Sequence, residues 1–304
     1  MTMEVKYDLP PSGDISFLDN EIPKATILTI GSNCKHIYTR NLYMKAKNIA
    51  YIEVATGNPY YEEHEGVLYS KGKRELIWYP PGKRDQTYYI PAEVNTLNAD
   101  SIQNTFLNKL TGGGGLRTIE RGFCSINTLY SLNEFSIQSD SFSSIEGILY
   151  DKEHTELVAC PISSKCDLDR SSLRVIRANA MAFNANVTDV VLHDNLQSIE
   201  NGAFLASMIT SITGGYGLKS IGIGAFADCK NLEEAVFQEG LKAIETGAFN
   251  HCLKLKEIVI PKSVTSIGYD RSYSTISKKT TVLCQQGSYA AQYALMYGIP
   301  YKYY

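Results

Sequence analysis

Side chains that could do chemistry are scattered through this chain, and their spacing assembles no catalytic site. The five histidines are His36, His64, His154, His193 and His251. They form no His-Glu-x-x-His zinc motif, and the chain contains no Gly-x-Ser-x-Gly nucleophile elbow. The glycine run from Gly112 to Gly115 lacks the Lys and the Ser or Thr that complete a phosphate-binding loop. We therefore predict that the chain is not an enzyme and that it has no catalytic residues, no metal site and no cofactor.

Composition and charge narrow the class of protein further. The chain has 304 residues, 44% of them hydrophobic and 20% charged, which favours a folded protein over a disordered one. A net charge of -3 provides no excess of Lys and Arg with which to bind nucleic acid. No apolar run reaches the roughly 18 residues of a membrane-spanning helix, and the segment from Met1 to Phe17 lacks the apolar region of a signal peptide. We expect either an intracellular protein or the trimmed form of an exported one.

A sequence unit of 22 or 23 residues repeats along the second half of the chain. Each unit opens on a Leu-x-x-Ile group and continues with Gly-Ala-Phe. The units open at Leu173, Leu196, Leu218, Leu241 and Val264, and the first of them carries Met181 and Phe183 in place of Gly-Ala-Phe. Similar openings stand 22 residues apart at Val94 and Leu116. One such unit cannot bury its apolar face alone, so we predict stacked coils that share a core.

An apolar triplet with spacings of three and two follows each Gly-Ala-Phe group, as in Leu255, Ile258 and Ile260. The end of each triplet alternates between apolar and polar residues, which is the period of a β-strand. We predict one short strand per coil, with the Gly-Ala-Phe group on the return segment. The residues predicted to be almost fully buried are Phe226, Leu241, Phe249 and Ile258.

The seven cysteines indicate neither a zinc site nor a closed disulfide framework, because their number is odd and no Cys-x-x-Cys occurs. Cys229 and Cys252 share one register, three residues after Phe226 and Phe249. A metal site or a disulfide there is an alternative, but the repeat favours a ladder of buried thiols.

Two segments that interrupt the repeats are similar to each other. Residues 65–80 and 146–161 align without a gap at an offset of 81, with eight identities in sixteen positions. We name these segments the first island and the second island.

The repeat pattern resembles the BspA-like, Treponema-type leucine-rich repeat. The resemblance rests on an Ile, an Ala-Phe pair, a Cys and then Leu-x-x-Ile-x-Ile-Pro, as in Ile244 to Pro261. Strands that end in Ile-Pro at Ile22, Ile90 and Ile260 agree with that family. So do the two islands, which the resemblance identifies as β-hairpins that project at coil junctions. Residues 287–300 are similar to the family's C-terminal element, a helix and a closing strand that cap the last coil.

The resemblance implies an α/β leucine-rich-repeat solenoid, a right-handed superhelix with short parallel strands on its concave face. The implied domains are an N-terminal extension or cap at 1–21, a solenoid at 22–268 and a C-terminal cap at 269–304, with islands at about 58–82 and 139–165. The family further implies a secreted or surface-attached bacterial protein that binds host or matrix proteins in an adhesin-like role. An export signal encoded upstream is expected.

Strand alternation predicts a candidate binding surface. If Ala235 and Phe237 point inward, Glu234 and Val236 point outward, and the other coils follow. One outward row is mainly acidic: Glu134, Asp189, Ser211, Glu234 and Glu257. The neighbouring row is β-branched or small: Ser136, Val191, Thr213, Val236 and Val259. These rows fit a solvated strand face, and the alternative is a strip that receives a partner carrying basic and apolar groups.

Two alternatives stand beside a protein-binding scaffold. The 21 tyrosines and the single tryptophan, Trp78, favour a carbohydrate-binding surface protein that uses exposed aromatic rings. An enzyme hidden in one of the islands is the other alternative. If the strand face does not bind the partner, the islands are the next candidate surface, with Tyr69, Trp78, Tyr79 and Tyr150.

Overall fold

The computed structural model describes residues 4–13, 22–39, 42, 45–103, 105–121, 123, 132–270 and 274–304. The chain divides into two compact units, Met1–Ser144 and Ile145–Tyr304. Cys124 and part of the predicted N-terminal extension lie outside the described residues. Each unit is a β-solenoid in which successive turns of the chain place their strands side by side. The predicted domain boundaries stay a prediction.

The described residues of the first unit form three sheets. Its strands are β1 (Lys6–Leu9), β2 (Ile27–Ile30), β3 (Tyr51–Val54), β4 (Tyr61–His64), β5 (Val67–Ser70), β6 (Glu75–Trp78), β7 (Thr87–Ile90), β8 (Thr96–Leu97), β9 (Lys109–Gly112), β10 (Thr118–Ile119) and β11 (Glu134–Ile137), with β12 (Phe142–Ile145) at the boundary. A 3-10 helix, Ile22–Lys24, precedes β2. Two sheets are parallel, in the orders β1-β2-β3 and β7-β9-β11. The third has the order β4-β5-β6-β8-β10 and is antiparallel only among β4, β5 and β6.

The second unit is built on two parallel ladders of strands. Its strands are β13 (Ile148–Asp151), β14 (Glu156–Ala159), β15 (Val175–Ile176), β16 (Asp189–Val191), β17 (Ser198–Ile199), β18 (Ser211–Thr213), β19 (Ser220–Ile221), β20 (Glu234–Val236), β21 (Ala243–Ile244), β22 (Glu257–Val259), β23 (Ser266–Ile267), β24 (Thr281–Cys284) and β25 (Tyr301–Tyr303). The long-strand ladder is β16-β18-β20-β22-β24-β25, and the short-strand ladder is β14-β15-β17-β19-β21-β23.

The prediction of one strand per coil is wrong, because each regular coil contributes two. The predicted strand, such as β22, belongs to the long-strand ladder, while the Leu-x-x-Ile group supplies a two-residue strand, such as β21. The physical reason is backbone pairing. The amide groups beside the inward Leu241 and Ile244 need partners, and the same register of the adjacent coil provides them.

The prediction that the islands project as hairpins at coil junctions is also wrong, again because of backbone pairing. Each begins as a hairpin, but its last strand, β6 or β14, pairs in parallel with the next short strand, β8 or β15. The island is therefore the first member of a short-strand ladder and does not project from a coil junction.

The Gly-Ala-Phe segments form a third stacked feature of the second unit. The rings of Phe204, Phe226 and Phe249 stack with successive centroid distances of 5.1 Å. Gly224 has a φ of 59°, a left-handed conformation in which glycine carries no steric cost. The predicted burial of Phe226, Leu241, Phe249 and Ile258 is confirmed, since each has 0% of its surface exposed.

In the coil that opens at Leu173, Met181 takes the position of the stacked phenylalanine. Its amide donates to Ala203 as that of Phe204 donates to Ala225, whereas Phe183 is only half-buried. The predicted thiol ladder is confirmed. Cys229 and Cys252 are buried free thiols whose Sγ atoms donate to the carbonyls of Phe204 and Phe226, at 3.0 and 3.1 Å.

The predicted helix and closing strand are present at the C-terminal end. Helix α1 (Tyr289–Tyr297) begins where the Ser288 side chain accepts a hydrogen bond from the amide of Ala291. It ends at Gly298, which has a φ of 65° and satisfies the last carbonyls of the helix. Strand β25 then closes the long-strand ladder beside β24.

Candidate functional site

The candidate site is the outward face of the long-strand ladder in the second unit. Along this ladder Val190, Ile212, Ala235 and Ile258 are buried, so the residues on either side of them face outward. We name the two resulting rows the acidic row, with Asp189, Ser211, Glu234 and Glu257, and the aliphatic row, with Val191, Thr213, Val236 and Val259. Both are continuous in register from β16 to β22.

Asp189 is held as a carboxylate at the first position of the acidic row. Its oxygens accept hydrogen bonds from the hydroxyls of Ser211 and Thr210, both at 2.9 Å, and of Thr188 at 3.2 Å. These bonds, the one from Ser211 first, lower the pKa of Asp189 below its ordinary value. The exposed carboxyl therefore stays anionic at neutral pH.

Glu234 and Glu257 face each other across neighbouring strands. They are paired residues in the ladder, so their backbones are about 4.8 Å apart. Both side chains are exposed, and within the described part of the chain neither forms an ion pair. The neighbouring Glu233 is compensated, because its carboxylate accepts a hydrogen bond from the ammonium group of Lys256 at 2.6 Å. Like charges directly opposite each other in a sheet are destabilising, and the fold leaves this pair uncompensated.

The aliphatic row offers apolar contact beside those charges. Val191 is 60% exposed, and Thr213, Val236 and Val259 are half-buried. Strand β24 extends both rows by one coil, since Thr281 pairs with Glu257 and Leu283 with Val259. The sequence argument missed Thr281 and Leu283. The alternation of polar and apolar residues from Thr281 to Cys284 is the signal that could have found them.

Glu134 and Ser136 lie on β11 of the first unit and are exposed there. Glu134 pairs in register with Lys109 and accepts a hydrogen bond from its ammonium group at 2.5 Å. The predicted acidic row therefore begins with a compensated charge, unlike Glu234 and Glu257.

The second predicted surface, on the islands, is wrong. Tyr69, Trp78, Tyr79 and Tyr150 are each 0 or 1% exposed. The cause is the ladder position of the islands, because their strands have neighbours on both sides and their large rings pack into the core. An exposed tryptophan is thus not available to bind a sugar.

Two further observations concern metal binding and membrane-spanning helices. Among the described residues, no group of three or more His, Cys, Asp or Glu side chains is placed to hold a metal ion. In that same part of the chain, no helix has both the length and the apolar character needed to cross a membrane.

A comparison with known protein families identifies the same repeats. Residues 160–281 match the model of the family described as "BspA type Leucine rich repeat region", in six copies. These coils are BspA-type leucine-rich repeats. No curated protein matches the chain.

Solved structures share the fold of this leucine-rich-repeat chain. A leucine-rich repeat protein from Eubacterium ventriosum matches with a TM-score of 0.60 and 14% identity, over 81% of this chain and 73% of that one. A leucine rich cell surface protein from Faecalibacterium prausnitzii matches with a TM-score of 0.57 and 16% identity, over 90% of this chain and 86% of that one. At these identities the likeness establishes the solenoid fold alone.

Proposed function

We propose that this protein is a non-enzymatic, protein-binding scaffold of the cell surface or of a secreted fraction, with an adhesin-like role. The observation that carries the proposal is the uncompensated pair Glu234 and Glu257, set beside the half-buried Val236 and Val259 on a regular ladder. A partner with basic groups would relieve the repulsion between the two carboxylates, and its apolar groups would cover the aliphatic row. The cell-surface description of the Faecalibacterium prausnitzii protein and the family of the repeats support the localisation.

Charge on this surface acts mainly on the rate of association. Aligned carboxylates attract a basic partner over a distance set by salt screening, about 8 Å at physiological ionic strength. The valines contribute only after contact, when they lose water. A salt-dependent association rate and a less salt-dependent dissociation rate are therefore expected.

The first experiment searches a panel of purified extracellular-matrix proteins for binding by surface plasmon resonance. A protein that binds is then measured against the double variant Glu234→Gln and Glu257→Gln across a series of salt concentrations. We expect slower association and a weaker dependence on salt. The matched control changes Glu153 and Glu245 to Gln, which removes the same charge from exposed positions outside the two rows. An unchanged association rate for the double variant would exclude this surface.

The carbohydrate-binding alternative keeps support only from exposed tyrosines, such as Tyr216 on a coil junction at 61% exposure. A glycan array separates the two functions. Binding to glycans together with no binding to any matrix protein would favour the alternative over the proposal.

A further inference from the structure

Two cysteines at the end of the second island lie beside each other. Cys160 directly follows β14, and the chain then turns back, with the amide of Ser164 donating to the carbonyl of Pro161 at 3.0 Å. The Sγ atom of Cys160 lies 4.0 Å from the carbonyl oxygen of Ser164, two residues before Cys166. The side chains of Cys160 and Cys166 belong to one buried cluster, and the Cys160 thiol is near enough to lower the pKa of Cys166. Neither sulfur is part of a disulfide, and both residues are buried.

The surroundings of the pair differ from those of the thiol ladder. The Tyr150 hydroxyl lies 3.7 Å from the sulfur of Cys166, and Arg170 stands over the Tyr150 ring at 5.5 Å. The Cys160 thiol, with help from Tyr150 and Arg170, lowers the pKa of Cys166. Burial instead raises the pKa of Cys229 to about 11. Cys166 thus has a larger fraction of reactive thiolate than Cys229, and at 9% exposure it is also the more accessible.

The corresponding positions of the first copy are in contact with each other. At an offset of 81, Cys160 corresponds to Tyr79 and Cys166 to Asp85. The Tyr79 hydroxyl donates to Oδ2 of Asp85 at 2.7 Å. The loop between these positions therefore brings their side chains together in each island, with a polar pair in one and two thiols in the other.

We propose that Cys160 and Cys166 form an intrachain disulfide when the protein meets an oxidising low-molecular-weight disulfide. The Cys166 thiolate attacks one sulfur of the small disulfide, forms a mixed disulfide and releases one small thiolate. The Cys160 thiol then loses its proton and attacks the Cys166 sulfur, which forms the intrachain bond and expels the second thiolate. The two protein thiols give up two electrons and two protons, and the small disulfide ends as two thiols.

The bond would close the loop at which the family match begins, at residue 160. It joins Cys160, near the end of the second island, to the segment that leads into the first regular coil. The Cys229 and Cys252 pair is not expected to react, because each of those thiols donates to a backbone carbonyl in the adjacent coil and is almost completely buried.

Peptide mapping of the full chain tests the proposal. The protein is incubated with oxidised glutathione, its free thiols are blocked with iodoacetamide, and it is digested with trypsin without reduction. Cleavage after Lys165 places Cys160 in peptide 153–165 and Cys166 in peptide 166–170. We expect these two peptides joined by a reducible link, and a fall in free thiols from seven to five.

Variants separate this bond from unspecific oxidation. In Cys160→Ser, Cys166 should stop as the glutathione mixed disulfide, whereas the matched control Cys229→Ser with Cys252→Ser should keep the link. Peptides 153–165 and 166–170 that carry only iodoacetamide or glutathione in the wild-type chain would overturn the proposal. So would a link from either peptide to another cysteine. The wild-type map decides the matter even if a variant fails to fold.

Discussion

The two islands have the same backbone plan at an offset of 81. Glu65 and Glu146 are both left-handed, with φ values of 52° and 50°, and each is followed by a left-handed glycine. Both hairpins have an irregular register at the same place, where Leu68 pairs with Trp78 and Leu149 with Ala159. The turns of the hairpin are therefore specified by a few residues that both copies contain.

The buried polar contacts of the islands are different. In the first island the Tyr69 hydroxyl bonds the Tyr88 hydroxyl, and Tyr79 bonds Asp85. In the second, Tyr150 meets Cys166 instead. The same backbone therefore accommodates different buried side chains. The residues of each contact differ together between the islands, so that every buried hydroxyl keeps a hydrogen-bond partner.

The largest effect is expected where the two islands are most alike. Leu76 and Leu157 occupy equivalent positions on β6 and β14, and both are fully buried. Leu76→Ala and Leu157→Ala should each lower the free energy of unfolding by about 2–5 kcal/mol, since each loses apolar burial and leaves a cavity. Urea denaturation of the full chain measures both, with the exposed Lys71→Ala as control. A cost for one island and none for the other would break the equivalence.

Alkaline pH should act on both islands, because burial raises the pKa of Tyr150 in the second as it does those of Tyr69 and Tyr79 in the first. Burial is the largest cause that raises the pKa of Tyr69 to about 12, and it also raises the pKa of Tyr79 and Tyr88. A raised pKa in the folded state means that the unfolded chain loses its protons first. The contribution of Tyr69 to the free energy of unfolding is thus fully present below about pH 10 and is lost as the pH rises towards 12. Urea denaturation across this range should show a shallower loss for Tyr69→Phe than for the wild type; identical slopes would contradict the assignment.

Deleting one hydroxyl from each island should give unequal costs. Tyr69→Phe leaves the buried hydroxyl of Tyr88 without its partner, which costs about 1–3 kcal/mol of unfolding free energy. Tyr150→Phe removes only a weak contact to the Cys166 sulfur and should cost less than about 1 kcal/mol. Thermal unfolding of both variants measures the difference. Equal losses would show that the interiors are not as different as their contacts indicate.

A further prediction concerns the turns that the islands share. Gly66 has a φ of 75°, and an added Cβ would lie 2.5 Å from the Tyr51 ring. Gly66→Ala should therefore cost more than the roughly 1–2 kcal/mol of a left-handed alanine. Gly72→Ala is the matched control, because Gly72 has a φ of 78° with nothing within 4 Å of its added Cβ. Equal costs, compared by thermal unfolding, would mean that the Tyr51 ring moves aside freely.

Much of the fold was determined by the sequence itself. The step of 22 or 23 residues, the inward Leu241, Ile258 and stacked phenylalanines, and the cap at Tyr289–Tyr297 follow from a repeated local pattern. The outward direction of Glu234 and Val259 follows from strand alternation in the same way. These features are predictable because each coil repeats its neighbour, so that the period of one unit describes the packing of the next.

Other features depend on how the chain folds back on itself in three dimensions. The short-strand ladder depends on which backbone groups find partners in the adjacent coil, and two-residue strands leave no periodic signal. The burial of Trp78 and Tyr150 follows from the pairing of β6 and β14 with strands beyond the hairpins. The contact of Cys160 with Cys166 depends on the turn from Pro161 to Ser164. Contacts of this kind are set by how the chain returns on itself, and a spacing of six residues does not encode that path.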